Sequence, residues 1–81
     1  MISAKIKFNK VSDVADFVSR VSKFDTDIDI KYRTVLLDGK SIEGLYAIQL
    51  GTELTCIIHD NKNNAHELIT EIQDFCLTEF E

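Results

Sequence analysis

Proline is absent from the 81 residues and glycine occurs only three times. A chain so poor in both offers no stretch that reads as a linker, a low-complexity segment or an internal repeat, so residues 1–81 are expected to form a single domain. No apolar run approaches the ~20 residues of a membrane span. The opening MISAKIKFNK lacks the apolar core of a secretory signal. Two cysteines far apart, Cys56 and Cys76, suit a reducing cytoplasm better than a disulfide scaffold. The expected location is therefore cytoplasmic, with no membrane partner. Basic residues are outnumbered 9 to 14, for a formal net charge of −5. Nucleic acid is a poor partner for such a surface, because phosphate affinity comes from clustered Lys and Arg. The one basic grouping, Lys5, Lys7 and Lys10, is explained by alternation along a solvated strand face. There is no Gly-rich phosphate loop, paired-carboxylate cleft or Cys/His dyad, so an enzyme is not expected and no cofactor is implied. His59 and His66 flank one turn with Asp60 and read as surface histidines, with no metal site assigned.

What the chain does have is clean periodicity. In residues 2–8, Ile2, Ala4, Ile6 and Phe8 alternate with Ser3, Lys5 and Lys7, the period of a half-buried strand. VSDVADFVSRVSKF follows, with Val11, Val14, Val18 and Val21 at helical spacing and Ala15, Phe17 and Phe24 widening the stripe. Ser12 is the expected N-cap of this helix, with Asp13 in its first turn. TDIDIKY (26–32) alternates again. Arg33-Thr34 turns it into VLLD (35–38), and ELTCIIH (53–59) sets Leu54, Cys56 and Ile58 on one face. SIEGLYAI (41–48) is long enough for two helical turns. AHELITEIQDFCLTEF (65–80) aligns Ala65, Leu68, Ile69, Ile72, Phe75 and Cys76 on a stripe and predicts the longest helix. Cys56 and Cys76, both on apolar faces, are read as core residues.

The order is β-α-β-β-α-β-α. Strands with one apolar face and helices with one apolar stripe predict an α/β (α+β) two-layer, open-faced sandwich. Helices would cover one face of the sheet. Lys5, Lys7, Asp27, Asp29, Lys31 and Thr55 would line the other.

This order and these residues resemble the HPr family, the histidine-containing phosphocarriers of the bacterial sugar phosphotransferase system. The match is densest at VSKFDTDIDIKY (21–32) and LDGKSIEGL (37–45), whose spacing is kept. Ser22, Lys23, Phe24 and Asp25 stand where the family ends its first helix. Lys40, Ser41, Ile42, Gly44 and Leu45 stand where it starts its second, and GTEL (51–54) where it leads into the last strand. The resemblance implies a βαββαβα fold with a four-stranded antiparallel sheet. It also exposes a departure. Family carriers open the first helix with a Gly-[Leu/Ile]-His-Ala-Arg-Pro-Ala signature, whose His accepts the phosphoryl group. Here FNKVSDVADFV (8–18) puts Lys10 at the His position, Ser12 at the Arg position and Asp13 at the Pro position. An ammonium does not do the work of an imidazole near neutral pH. A degenerate phosphocarrier site is the expectation.

Ser41 is first of all an expected N-cap. In Gram-positive members of the family a dedicated kinase phosphorylates the matching serine, so the resemblance also implies a regulatory phosphorylation site. Lys40, Ile42, Leu45 and Tyr46 are the implied partner-binding residues around it. Leu45 and Ile48 also suit the core. Glu43 stands where the family carries an apolar or basic residue. A chain with the serine motif and without the histidine is similar to Crh-like members. Their implied partners are an HPr-type serine kinase/phosphorylase and a LacI-type catabolite regulator. The other reading kept open is a diverged HPr-fold binding module, unphosphorylated and with an unrelated partner.

Overall fold

A computed structural model describes residues 1–81. Strand β1 (Ile2–Lys7) leads through Phe8 into helix α1 (Val11–Val21). The hairpin of β2 (Ile28–Tyr32) and β3 (Val35–Asp38) follows, then the single-turn helix α2 (Ile42–Leu45), β4 (Glu53–Ile58) and α3 (His66–Glu71). A 3-10 turn over Gln73–Phe75 continues directly from α3. The four strands form one antiparallel sheet in the order β1-β4-β2-β3, covered by the helices on one face. The predicted open-faced sandwich is what the chain adopts.

Alternation explains the sheet. Ile2, Ala4, Ile6, Ile28, Ile30, Leu54, Cys56 and Ile58 are all buried on the helix side. The register pairs Lys5 with Thr55 and Lys31 with Thr55, so their side chains share the open face. There the Lys5 Nζ donates to Thr55 Oγ1 at 2.9 Å. Above the sheet, Phe8, Phe17 and Phe75 meet edge to face with centroids 5.2–5.8 Å apart, the geometry the ring quadrupoles favour. All nineteen buried side chains form one apolar cluster, and no polar side chain is buried with them.

Helix α1 buries Val14, Phe17 and Val21, as the stripe predicts, but it starts one residue before Ser12. Ser12 is therefore inside the helix and exposed, not its N-cap. Lys10 holds the N-cap position in extended conformation. The capping oxygen comes from Asp13, whose Oδ2 accepts from the N–H groups of Asn9 (2.9 Å) and Lys10 (3.2 Å). A carboxylate serves these free donors better than a hydroxyl can. Val11, at the very start of the stripe, has no element above it and is 60% exposed. Arg20 ties the other end of α1 to the last turn. Its Nη1 contacts Asp74 at 2.5 Å and donates to the Glu71 carbonyl at 3.0 Å, while the guanidinium lies over the Phe75 ring.

The largest correction concerns residues 65–80. Their apolar stripe is buried at Ala65, Leu68, Ile72 and Phe75, yet the α-helix ends at Glu71. Beyond Phe75 the chain becomes extended at Cys76 and pairs there with Ile6. Residues 77–81 then run along the outer edge of β1. The Leu77 N–H donates to the Lys5 carbonyl at 2.7 Å, and Lys5 N–H donates to Thr78 Oγ1 at 2.8 Å. Ser3 and Glu81 exchange two backbone bonds of 3.0 and 3.1 Å. Phe80 is buried at the end of this closing segment. A continued helix would have left both Phe80 and the β1 edge without partners. The segment 41–48 is also less helical than its length predicts: α2 closes after Leu45, and the next two bonds, Ala47 to Gly44 and Ile48 to Leu45, are of the tighter three-residue kind.

Candidate functional site

The approach to Ser41 is a tight turn with little freedom. Leaving β3, the Gly39 N–H donates to the Ile28 carbonyl at 2.8 Å. A Cβ at Gly39 would stand 2.7 Å from Ile28 Cγ2 and 2.9 Å from that carbonyl oxygen, so only glycine fits without displacement. Asp38 closes the turn twice, its Oδ1 accepting from Lys40 N–H (2.9 Å) and its carbonyl from Ser41 N–H (3.1 Å). Ser41 itself is extended, with φ −94° and ψ 99°, and caps α2: its Oγ accepts from the Gly44 N–H at 3.4 Å. That is a long bond, on a hydroxyl that remains half-buried rather than enclosed.

The neighbouring side chains fall into three groups. The Lys40 ammonium donates to the carbonyl of Phe24, just past the end of α1, so its charge is tied to the body of the domain. Leu45 is fully buried and contributes no surface, because its side chain fills the core between α2 and the sheet. This corrects its place among the partner-binding candidates. Ile42 is half-buried against the core, Tyr46 is 50% exposed, and Glu43 is exposed in the first turn of α2. The exposed ridge after the serine thus consists of Tyr46 with an edge of Ile42. Leu50 is a further exposed apolar residue beyond it, which the sequence reading passed over because it falls in a loop without periodicity.

Lys10 and Asp13 lie elsewhere. The Lys40–Phe24 contact puts the start of α2 at the C-terminal end of α1. The Gly51 N–H meets the Phe8 carbonyl at 2.8 Å, which puts the chain after α2 beside the N-terminal end of α1. Ser41 and the Lys10–Asp13 stretch therefore sit at opposite ends of α1, whose 11 residues span roughly 16 Å at the helical rise per residue. At the Lys10 end, the Asn9 and Lys10 N–H groups hold the Asp13 carboxylate, which sets negative charge at the start of α1.

Neither histidine is near this stretch. Lys7 pairs with Glu53 at one end of the β1–β4 ladder, whereas His59 follows Ile58 at the other. The His59 Nε2 meets Asp29 Oδ2 at 2.6 Å across the sheet. No group of three or more His, Cys, Asp or Glu side chains is placed to hold a metal ion. Cys56 is fully enclosed and its thiol is pushed far up by burial, with the nearby Cys76 adding to the shift. Burial, then the Asp74 charge, raises Cys76 as well. Neither thiol has the lowered pKa of a nucleophile. No helix is long and apolar enough to cross a membrane.

No family model matches the sequence, and no curated protein matches it. Solved structures do. The phosphocarrier protein HPr of Bacillus anthracis is 20% identical and superposes with a TM-score of 0.71, over 93% of this chain and 96% of that one. The histidine-containing phosphocarrier protein of a Mycoplasma is 26% identical, with a TM-score of 0.68 over 96% and 100% of the two chains. Crh, the catabolite repression protein of Bacillus subtilis, is 23% identical, with a TM-score of 0.60 over 90% and 88%. Across almost its whole length, this chain has the fold of the HPr phosphocarriers and of Crh.

Proposed function

We propose that this chain is an HPr-like regulatory protein of the phosphotransferase system that does not carry phosphohistidine and is controlled by phosphorylation of Ser41. The observation that carries the reading is the Asp13 carboxylate seated at the start of α1. Asp13 accepts from the Asn9 and Lys10 N–H groups there, and Lys10 stands at the family's histidine position. Negative charge already seated at that point opposes a phosphoryl group arriving at it. What remains of the family pattern is the serine motif at α2. A phosphate on Ser41 would add about −1.5 to −2 charge at pH 7. The readout is then protein–protein recognition over Tyr46 and Ile42 in carbon catabolite regulation. Its partners are an HPr-type serine kinase/phosphorylase and a LacI-type regulator, with no cofactor.

A second reading is favoured by two observations at the same place. Lys40 is engaged with the Phe24 carbonyl, and Glu43 adds an acid two residues after the serine. Both weaken the reception of a phosphate and favour an unphosphorylated HPr-fold binding module. Intact-protein mass after incubation with ATP and an HPr kinase separates the two, run beside Ser41→Ala and beside a tube containing enzyme I and phosphoenolpyruvate. One phosphate from the kinase, lost in Ser41→Ala, supports the regulator. No phosphate, with the kinase active on its usual substrate, supports the module. Phosphate from the enzyme I tube would refute both.

A further inference from the structure

The two edges of the sheet are treated differently. Residues 77–81 cover the outer side of β1 with backbone bonds. Along the outer side of β3 the chain places no strand. In the ladder that the Arg33–Thr34 turn closes, Tyr32 pairs with Val35 and Ile30 with Leu37. Bonding alternates along an antiparallel pair, so Val35 and Leu37 bond inward to β2 and the N–H and C=O of Leu36 face outward. Most devices that blunt an edge are missing. The strand has no Lys, no Pro and no bulge in its register, and Val35 and Leu36 are 50% and 59% exposed.

The edge is also complementary to itself. Arg33 stands at the turn end of the hairpin, and Asp27, Asp29 and Asp38 at the other, with Lys31 between them opposite Leu36. A second copy running antiparallel sets each basic end beside the partner's acidic end. A parallel copy would oppose like charges.

We propose that β3 pairs with β3 of a second copy, antiparallel, about a two-fold axis through Leu36. An axis normal to the sheet keeps every residue on its own face. Leu36 on that axis meets the partner copy's Leu36 as a reciprocal hydrogen-bonded pair, using the outward N–H and C=O. Thr34 then stands opposite the partner's Asp38 on the open face, hydroxyl to carboxylate. Val35 stands opposite the partner's Leu37 on the helix-covered face. The product is an isologous dimer with one continuous sheet. Its basis is separate from Ser41 and holds for either reading of the function.

Sedimentation velocity of the full chain from about 10 μM to about 1 mM, the weak end of specific association, tests the proposal. A monomer–dimer equilibrium is expected. Leu36→Lys should raise the dissociation constant by at least about tenfold, through like charges facing across the axis. Leu77→Lys, also an exposed leucine but on the covered edge, should leave it unchanged. Leu36→Cys should cross-link under mild oxidation, because a hydrogen-bonded antiparallel pair holds its Cα atoms about 5.5 Å apart, within disulfide range. Val35→Cys, two positions out of register with itself, should cross-link no more than the unsubstituted chain. A monomer throughout would overturn the proposal and leave the edge to some other extended partner. A dimer indifferent to Leu36→Lys would overturn it equally.

Discussion

Phe80→Ala tests the feature that departs most from the periodicity of the sequence, the closing segment on β1. Phe80 is 1% exposed, so truncation removes its transfer energy and opens a cavity, together about 3–5 kcal/mol. The backbone bonds between residues 77–81 and β1 face solvent, and they depend on Phe80 as the anchor that brings the segment back to the body. At roughly 0.05–0.15 kcal/mol per residue, an 81-residue domain has about 4–12 kcal/mol in all. The variant should therefore lose about a quarter or more of its stability. Its melting midpoint should fall by at least about 12 °C, taking about 4 °C per kcal/mol as the low end for this size. Urea unfolding followed by far-UV circular dichroism measures the loss, with Leu77→Ala as a comparator of similar sequence position but half-exposed. Native-state hydrogen exchange adds a local reading. The amides of Ser3 and Glu81, protected by each other's carbonyls, should exchange faster in Phe80→Ala. A loss under about 0.5 kcal/mol, the size of a surface substitution, would refute the docking of this segment.

Gly39→Ala should cost about 1–3 kcal/mol as an overpacked position, since its Cβ would press on Ile28 Cγ2 and the Ile28 carbonyl; denaturant titration checks it, and a neutral result would mean that the turn before Ser41 yields. The hydrogen bond from Arg20 holds the Asp74 carboxyl below its ordinary value, outweighing a small opposing effect of burial. A depressed folded pKa stabilises above the unfolded pKa, about 3.9, and that contribution disappears as pH falls through the folded value. Asp74→Asn should thus be slightly less stable than the parent at neutral pH and indistinguishable in strong acid, a small difference of the kind exposed ion pairs give. In thiol labelling, Cys56 should react only on the timescale of global unfolding, because it is enclosed and its thiol is held protonated. Cys76, half-buried, should react first, and the reverse order would contradict the packing of the sheet.

The sheet was legible because its strands alternate without interruption: Ile2, Ala4 and Ile6 against Ser3, Lys5 and Lys7 admit no other local structure. Ser41 was legible as a cap for a similar reason, a hydroxyl placed just before an apolar turn. Three things were not legible. Cys76 and Phe80 are four residues apart, a spacing that suits a helix and a strand alike. What decides is the unpaired edge of β1, more than seventy positions away in sequence. The start of α1 was misplaced by two residues because Ser is the better N-cap by preference. Here Asp13 reaches back to satisfy the donors instead, which frees the cap position for Lys10. Leu45 shows the same limit at the candidate site: its three-residue spacing puts it on a face with Ile42, and only the depth of the sheet beneath α2 decides that it is core.

The order of synthesis gives the closing segment a further meaning. Strand β1 is translated first, and the partner of its outer edge is completed only with residue 81. Its inner partner, β4, also comes late, after two helices and a hairpin. A nascent chain therefore carries β1 with both sides open until β4 has emerged. The outer side of β1 stays open until residues 77–81 follow. A chain cut short before Leu77 would carry an almost complete core and an extra adhesive edge, open to pairing with another sheet.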